Sequence, residues 1–398
     1  MNGYEPTPVM RDAVIGRRTA ASMSVVFTVL IIIPPAHQLV TELRRTGRWS
    51  VLSLFRQLPT HASLKECEEA LARDSDLAAR VRKRYQSVVM HAVGQGNEKV
   101  FVGRDGFLFF RKEVEMASGP GFLSRQMRHR RGTGDGLDEN AASDPVRAIV
   151  DYHRQLQARG IRLVFIPLPV KPFLYPEKVW AGYPAPAGPA WNRDREPFKA
   201  KLRTAGVDVL DVTDDLWGAK SEGEIFLRLD THWSPLGLQV AADRIADHLR
   251  PLVGPAREPV LSRKVRVTNG GDLLRMMDGI PSGTLFLPQT VEVAQVPAPP
   301  GEVAPVLVLG DSFANIYSRK ELEWGEHGGL GDQLMLRLGV RVQVLALNGG
   351  GATAARQILR RKPEFLREKQ VVVWACSARD LFDESVRWDT VPLPEWVP

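Results

Sequence analysis

The stretch "VLVLGDSFAN", residues 306–315, begins as an apolar run and turns polar at Gly310-Asp311-Ser312. A short, continuously apolar run is typical of a strand buried on both faces, as in a parallel sheet. Gly310 and Asp311 allow a tight turn into a helix, which would leave the Ser312 hydroxyl exposed near backbone N–H groups. Because the chemistry of such sheets lies beyond the carboxyl ends of the strands, Ser312 is the candidate nucleophile.

Helical and extended patterns alternate on both sides of this stretch. Helices that alternate with short β-branched runs predict an α/β fold with a mainly parallel sheet covered on both faces. The predicted strands are "RLVFIPLP", "VDVLDV", "EIFLRLD", "APVLVLG", "VQVLAL" and "VVVWA", and the predicted helices begin at Asp144-Pro145, near Phe198, at Ser234-Pro235, near Gln333 and near Ala352.

The N-terminus predicts a membrane anchor. Residues 19–41 contain no Asp, Glu, Lys or Arg, and about twenty apolar residues match the hydrocarbon thickness of a bilayer. Three arginines between residues 11 and 18 precede the segment, and no clear cleavage site follows it. We therefore expect residues 1–41 to form a cytoplasmic tip and an uncleaved signal anchor, with the rest exported. The alternative is a buried core helix, and arginines between residues 44 and 48 weaken the positive-inside argument.

The remainder divides into a helical linker and packing region, residues 42–98, and a catalytic domain, residues 99–398. In the first part, Leu77, Val81, Tyr85 and Val88 repeat at helical spacing, which predicts one packing stripe. The second part opens with "VFVGRDGFLFF", in which Asp-Gly is a hairpin signal. Residues 118–143, rich in Gly and Arg, are predicted as a loop insertion, and residues 251–300, rich in Pro, as a second insertion.

Charge, motif content and cysteine count limit the binding partners and cofactors that we expect. Lys and Arg number 53 against 46 acidic residues, a net charge of +7 that is compatible with a solvated surface, an anionic polymer or a membrane. We find no zinc-finger spacing, Walker loop or RNA-binding signature, so no nucleic-acid partner is expected. No metal or other cofactor is predicted. Cys67 and Cys376 are expected to be separate thiols, although an exported pair could form a disulfide.

A serine nucleophile needs a base, and "LRLDTHWSPLG" supplies one upstream. Asp230 and His232 are two residues apart, so both would project to the same side of an extended segment. A carboxylate beside an imidazole fixes its tautomer and stabilises the imidazolium formed when it takes a serine proton. His327, beside Glu326, is the alternative base, but it has no orienting carboxylate at suitable spacing.

These motifs resemble one family. Gly310-Asp311-Ser312-Phe313 is similar to the nucleophile block of the SGNH, or GDSL, hydrolases, and Asp230-Thr231-His232-Trp233 resembles the Asp-x-His-Trp motif of the SGNH-like alginate O-acetyltransferases. Similar segments extend over roughly residues 75–385, whereas the Gly-x-Asn-Asp block of ordinary esterases is absent. They are "VGRDGFLFF", "IPLPVKPFLYPE", "GGDLLRMM" and "NGGGATAARQIL".

The resemblance implies an SGNH-hydrolase-like three-layer α/β/α fold. It also implies transfer of an acetyl group through acyl-Ser312 onto an exported polysaccharide, with a membrane-bound O-acyltransferase as acetyl supplier. A carbohydrate O-acetylesterase with the same triad and a non-catalytic secretion component are the alternatives.

By the same analogy, the backbone N–H groups of Ser312 and of Gly349 or Gly350 would form the oxyanion hole. Asn315 is either a helix cap or a weak donor. Arg379 is a candidate for substrate contact, although a structural ion pair is the favoured interpretation. Lys171 is a second candidate, and a solvated lysine is an equally simple interpretation. The further substrate-contact candidates are Asn348 and Trp233.

Overall fold

The computed structural model describes residues 16–47, 58–132, 143–184, 187–254, 259–277, 280, 283, 285–297, 299 and 303–394. The chain divides into two compact units, residues 1–88 and 89–398. The predicted cytoplasmic tip, residues 1–15, and the Gly-rich end of the first predicted insertion, residues 133–142, lie outside the described residues.

Three helices make up the described part of the N-terminal region: α1 (Arg17–Thr46), α2 (His61–Asp74) and α3 (Asp76–Val93). At 1.5 Å per residue, α1 is about 45 Å long, enough to cross a bilayer. It is the one described helix that is long and apolar enough for this. None of its apolar window is buried within the described chain, unlike the core helix that was the alternative interpretation.

The apolar stripe of α3 is more exposed to solvent than a packing stripe would be. The helix forms where periodicity placed it, but Val81, Tyr85 and Val88 are 59%, 67% and 65% exposed. These three side chains are therefore largely open to solvent, and the packing role of the stripe stays a prediction. Periodicity indicates an amphipathic helix but carries no information about what covers its apolar face.

The second unit, residues 89–398 and hereafter the catalytic unit, is built on a sheet of five parallel strands. In spatial order they are β4 (Asp208–Val209), β3 (Arg162–Leu168), β9 (Val371–Ser377), β7 (Val306–Gly310) and β8 (Val342–Ala346). Four of these strands lie where apolar β-branched runs were predicted, and "VDVLDV" contributes only a two-residue edge strand.

Helices cover both faces of the sheet, as predicted. Along β7, Val306 and Val308 belong to one apolar core, whereas Leu307 and Leu309 belong to the other. This alternation buries the strand on both sides, as expected for a parallel sheet between two helical layers. The helices of the unit are α4 (Arg111–Ser118), α5 (Arg125–Gly132), α6 (Pro145–Gln157), α7 (Lys171–Leu174), α8 (Pro176–Val179), α9 (Arg195–Thr204), α10 (Thr213–Gly218), α11 (Pro235–Val253), α12 (Asp272–Met276), α13 (Ser312–Asn315), α14 (Leu330–Leu338) and α15 (Gly351–Arg361).

Two antiparallel hairpins accompany the sheet. The predicted first hairpin pairs β1 (Val100–Val102) with β2 (Leu108–Phe110), and its turn contains Asp105 and Gly106 at φ values of 55° and 77°. The second pairs β5 (Arg263–Asn269) with β6 (Gln289–Gln295), inside the predicted insertion of residues 251–300.

Two local predictions are wrong. Residues 118–143 were predicted as a loop, but α5 lies within them. The run "EIFLRLD" was predicted as extended, yet it forms a turn closed by one bridge between Phe226 and Trp233. The apolar side chains of this run are buried, so its composition indicated burial correctly but not a strand.

Candidate active site

Three loops meet at the carboxyl edge of the sheet. In the parallel register, Gly310 at the end of β7 pairs with Ala346 at the end of β8. On its other side, β7 pairs with β9, which continues into the turn that carries Arg379. This edge therefore places Ser312 between the loop after β8 and the loop after β9.

The turn that presents Ser312 is held by Asp311. Its Oδ1 accepts a hydrogen bond of 2.8 Å from the backbone N–H of Phe313, which caps α13. Its Oδ2 accepts one of 3.3 Å from the N–H of Ser377 at the end of β9. Asp311 thus fixes the nucleophile turn both to its own helix and to the neighbouring strand.

His232 lies directly beside the candidate nucleophile. Its Nε2 is 2.8 Å from Ser312 Oγ, and its Nδ1 is 2.6 Å from Asp230 Oδ1. Ser312, His232 and Asp230 are 7%, 3% and 1% exposed. The structure therefore brings together all three residues of the predicted triad, in the chain order acid, base, nucleophile.

The acid and base are joined by a turn and not by the extended segment that was predicted. The N–H of Leu227 donates to the carbonyl of His232 at 3.1 Å, and the N–H of His232 donates to Asp230 Oδ1 at 3.1 Å. Asp230 therefore binds both the backbone and the ring of His232, and this fixes the orientation of the imidazole.

Sequence reasoning missed the partners of the second oxygen of Asp230. Oδ2 accepts 2.9 Å hydrogen bonds from Trp324 Nε1 and from the backbone N–H of Asp272. Gly271 makes the second contact accessible, because its φ is +80° and a Cβ there would lie 2.2 Å from the carbonyl oxygen of Leu229. Only glycine fits this position without displacement of the backbone.

Asp272 stabilises the turn that joins Asp230 to His232. Its two oxygens accept from the backbone N–H of Thr231 at 2.8 Å and from the Thr231 hydroxyl at 2.7 Å. Carboxylates of Asp230 and Asp272 and the ring of His232 come within 4.8 Å of one another, a donor set that could hold a metal ion. Each of these groups already has hydrogen-bond partners in the protein, and the arrangement fits a supported triad better than a metal centre.

The electrostatics of the acid–base pair follow from burial and proximity. Burial pushes the pKa of Asp230 upward, but the charge of His232 and hydrogen bonds from His232 and Trp324 outweigh it, so that this pKa lies below its ordinary value. Burial lowers the pKa of His232, whereas the charge and hydrogen bond of Asp230 raise it by more. The pair thus favours an ionised carboxylate that stabilises a protonated imidazole.

The Trp324→Phe variant should weaken this support. It removes the indole donor and leaves Asp230 Oδ2 with one hydrogen bond from the backbone. We expect the rate of the reaction at Ser312 to fall about tenfold, which corresponds to about 1.4 kcal/mol of transition-state stabilisation. Steady-state kinetics of this variant and of the control Trp180→Phe, which changes an exposed tryptophan, would test this. Equal rates in both variants would contradict a role for the indole.

The structure supports one of the predicted oxyanion donors and does not support another. Within the described chain, the N–H of Ser312 has no hydrogen-bond acceptor, as an oxyanion donor requires. The N–H of Gly350 donates to the carbonyl of Leu347 at 3.1 Å, so the nomination of Gly350 is not supported. Gly349 lies in the same turn at a φ of +68° and stays a prediction.

Asn315 and Asn348 form a contact beside the nucleophile. Asn315 Nδ2 donates to the carbonyl of Ala346 at 3.1 Å and to Asn348 Oδ1 at 3.0 Å. Asn315 is therefore a donor that ties α13 to the loop after β8, and not a helix-start cap. Asn348 is exposed at this edge, where it stays a candidate for substrate contact.

Arg379 makes the ion pair that was weighed against a substrate role. Its Nη1 lies 3.2 Å from Oε1 of the fully buried Glu113, and its guanidinium is 5.8 Å from the ring of Phe313. Burial raises the pKa of Glu113 to about 7, an effect that the charge of Arg379 reduces. Arg379 also lies beside Phe313, the residue after Ser312, where it stays a candidate for substrate contact.

Two of the predicted substrate residues are internal. Lys171 is fully buried, and its Nζ donates to the carbonyls of Leu108 at 2.7 Å and Arg228 at 3.2 Å, so it is neither solvated nor on the catalytic face. The ring of Trp233 is buried against Phe313, with centroids 5.5 Å apart. Both predictions are corrected: these side chains support the fold of the site from within.

The alternative base is not placed for the reaction. His327 is exposed, has a φ of 57°, and accepts a hydrogen bond from Val296 through its backbone carbonyl. Within the described chain no hydrogen bond joins its ring to Ser312, whereas His232 occupies that position.

Most of the chain matches a family model, and about half of it matches a curated relative. Residues 100–378 match the family model described as "SGNH hydrolase-like domain, acetyltransferase AlgX". The "Probable alginate O-acetylase AlgJ" of Pseudomonas aeruginosa is 34% identical over 215 residues, which are 52% of this chain and 49% of that protein. The chain thus spans about half the length of this curated relative.

Solved structures agree in fold. The O-acetyltransferase domain of Pseudomonas putida AlgJ superposes with a TM-score of 0.54 at 25% identity, over 71% of this chain and 91% of that one. AlgX of Pseudomonas aeruginosa superposes with a TM-score of 0.52 at 19% identity, over 72% of this chain and 64% of that one. The second likeness shows the fold alone.

Proposed function

The chain belongs to the family of the SGNH hydrolase-like acetyltransferase domain of AlgX, and from that premise we propose that it is a polysaccharide O-acetyltransferase. It moves an acetyl group, through an ester on Ser312, onto hydroxyls of an exported polysaccharide. The observation that carries the proposal is the unbroken hydrogen-bonded series from Asp230 through His232 to Ser312.

The first half-reaction is acetylation of the enzyme. Asp230 holds the proton of the neutral ring on Nδ1, so Nε2 of His232 can accept the proton of Ser312 Oγ. Oγ then attacks the donor carbonyl, and the tetrahedral oxyanion is bound by the N–H of Ser312, with that of Gly349 as second donor. His232 returns the proton to the leaving group as the carbon–oxygen bond to the donor breaks, and acetyl-Ser312 remains.

The second half-reaction reverses these roles. His232 removes the proton of a sugar hydroxyl, whose oxygen attacks the acetyl-Ser312 carbonyl, and the proton then passes to Ser312 Oγ as it leaves. Asn348 and Arg379, at the edge beside the nucleophile, are the proposed contacts for the acceptor. A relative named as an alginate O-acetylase supports a polysaccharide acceptor.

The proposal also covers where the protein lies in the cell and what supplies its acetyl group. Helix α1 supports a single membrane span that holds the catalytic unit in the periplasm. A membrane-bound O-acyltransferase delivers the acetyl group to this side of the membrane. We also propose the division of the chain into an anchor region (residues 1–41), a helical linker and packing region (residues 42–98) and a catalytic domain (residues 99–398).

The rate at which acetyl-Ser312 is discharged tests the acceptor. The full chain, acetylated with an activated acetyl ester, would be followed by intact-protein mass spectrometry with and without an oligosaccharide. Faster loss of the adduct with sugar, and acetylated sugar as product, is the expected result. Equal loss to water in both cases would instead identify an esterase, and no adduct would favour a non-catalytic secretion component.

The pH–rate profile should have an acid limb, in which activity falls because His232 becomes protonated. Only the neutral ring can take the serine proton, and the charge and hydrogen bond of Asp230 raise the pKa of His232 above its ordinary value despite the opposing effect of burial. We therefore expect kcat/KM to fall as the pH drops through a value above the ordinary pKa of a histidine. A pH–rate profile measured with an activated ester checks this, and an acid limb well below that value would contradict it.

A further inference from the structure

The apolar stripe of α3 has a specific chemical setting. Leu77, Val81, Tyr85 and Val88 fall within an arc of about 80° around the helix axis at 3.6 residues per turn. The last three are exposed, with 59% to 67% of their surface accessible. A contiguous apolar arc of this kind is normally covered, because its exposure to water is unfavourable.

Positive charge lies on both borders of this arc. By the same helical geometry, Arg80 and Arg84 flank it on one side and Arg82 on the other, and all three are exposed. Lys83 is on the opposite face, and the one acidic residue of α3, Asp76, is at its first position. Long cationic side chains beside an apolar stripe can extend their charges toward water while their stems lie along apolar surface.

The position of α3 in the chain argues for one occupant. The membrane-spanning candidate α1 ends at Thr46, and only residues 47–75 separate it from α3. A chain anchored by α1 therefore keeps α3 within reach of the bilayer surface. An amphipathic helix with apolar residues on one face and Arg or Lys around them is the type that lies in a membrane interface. Tyr85 adds an amphipathic ring that suits the same depth.

We propose that α3 lies on the bilayer surface, with its stripe in the boundary between headgroups and acyl chains and its arginines on anionic lipid headgroups. The proposal depends on α1 as an anchor, but it is independent of the acetyl-transfer chemistry. The membrane then holds the chain at two places, the span and the surface helix.

Site-directed fluorescence in the full chain tests this. Val88→Cys and Tyr85→Cys place a probe in the stripe, and Lys83→Cys is the matched control on the opposite face. The variants are made with Cys67→Ser, and Cys376 does not compete for label because it is buried and burial raises the pKa of its thiol well above the ordinary value. Each variant, labelled with an environment-sensitive fluorophore, is reconstituted into vesicles of phosphatidylcholine with phosphatidylglycerol, and into vesicles of phosphatidylcholine alone.

The expected result is a blue shift and quenching by a lipid-borne nitroxide at positions 85 and 88 but not at 83. Quenching should be weaker without phosphatidylglycerol, and weaker in the variant Arg80→Gln/Arg82→Gln/Arg84→Gln. Stripe probes that behave like the control would overturn the proposal. A blue shift without lipid quenching would also overturn it, because it would show that protein covers the stripe. A far-UV circular dichroism spectrum and a thermal unfolding transition equal to those of the wild type show that each variant is folded.

Discussion

The Ser312→Ala variant should lose acetyl-enzyme formation and polysaccharide acetylation, with a rate decrease of about 10⁵- to 10⁶-fold. In the proposed mechanism Oγ is the atom that carries the acetyl group, and no other described hydroxyl is hydrogen-bonded to His232 Nε2. The methyl group fits the space of the serine side chain, so we expect the free energy of unfolding to change by less than about 1 kcal/mol.

Intact-protein mass spectrometry and a sugar-acetylation assay measure this result. Ser221→Ala, which changes an exposed serine bonded only to the carbonyl of Gly218, is the matched control and should behave as wild type. An acetyl adduct of normal amount in Ser312→Ala would exclude Ser312 as nucleophile. Loss of the thermal unfolding transition would instead show that the hydroxyl is structural.

The second large effect is expected for Asp230→Asn, with a rate decrease of about 10³- to 10⁴-fold. Oδ2 of Asp230 accepts from Trp324 Nε1 and from the N–H of Asp272, so the amide oxygen of asparagine would keep this position. The amide NH₂ would then face His232 Nδ1 and force the ring proton onto Nε2. That tautomer cannot accept the proton of Ser312.

The same substitution should move the acid limb of the pH–rate profile to lower pH. The charge and hydrogen bond of Asp230 raise the pKa of His232 against the effect of burial, and both are lost or reversed in Asp230→Asn. Parallel profiles of wild type, Asp230→Asn and the exposed control Asp243→Asn provide the measurement. A rate within tenfold of wild type, with an unmoved limb, is the outcome that contradicts an orienting role.

Sequence was sufficient for the parts of the site that follow a local pattern. The buried run before Gly310 predicts the strand that presents Ser312, and Ser234-Pro235 predicts the start of the helix after His232. Ser234 indeed caps α11 by accepting from the N–H of Gly237 at 3.1 Å. Such signals are contained within a few residues, so they can be recognised without knowledge of the tertiary structure.

The partners of the triad could not be predicted in this way. Trp324 is 94 residues from Asp230 in sequence, and their hydrogen bond depends on how two loops meet. Lys171 is charged but fully buried, because two backbone carbonyls accept from its Nζ. Neither hydrophobic periodicity nor residue spacing contains this information, since both contacts arise from tertiary packing.

Strand order determines how much of the chain must be made before the sheet can be completed. A chain made from its N-terminus forms β3 early, β7 and β8 later and β9 last, yet β9 occupies the place between β3 and β7 in the sheet. Until residues 371–377 are available, the half that carries His232 and the half that carries Ser312 share no continuous sheet. A complete sheet therefore requires nearly the whole segment from residue 162 to residue 377 to have been made.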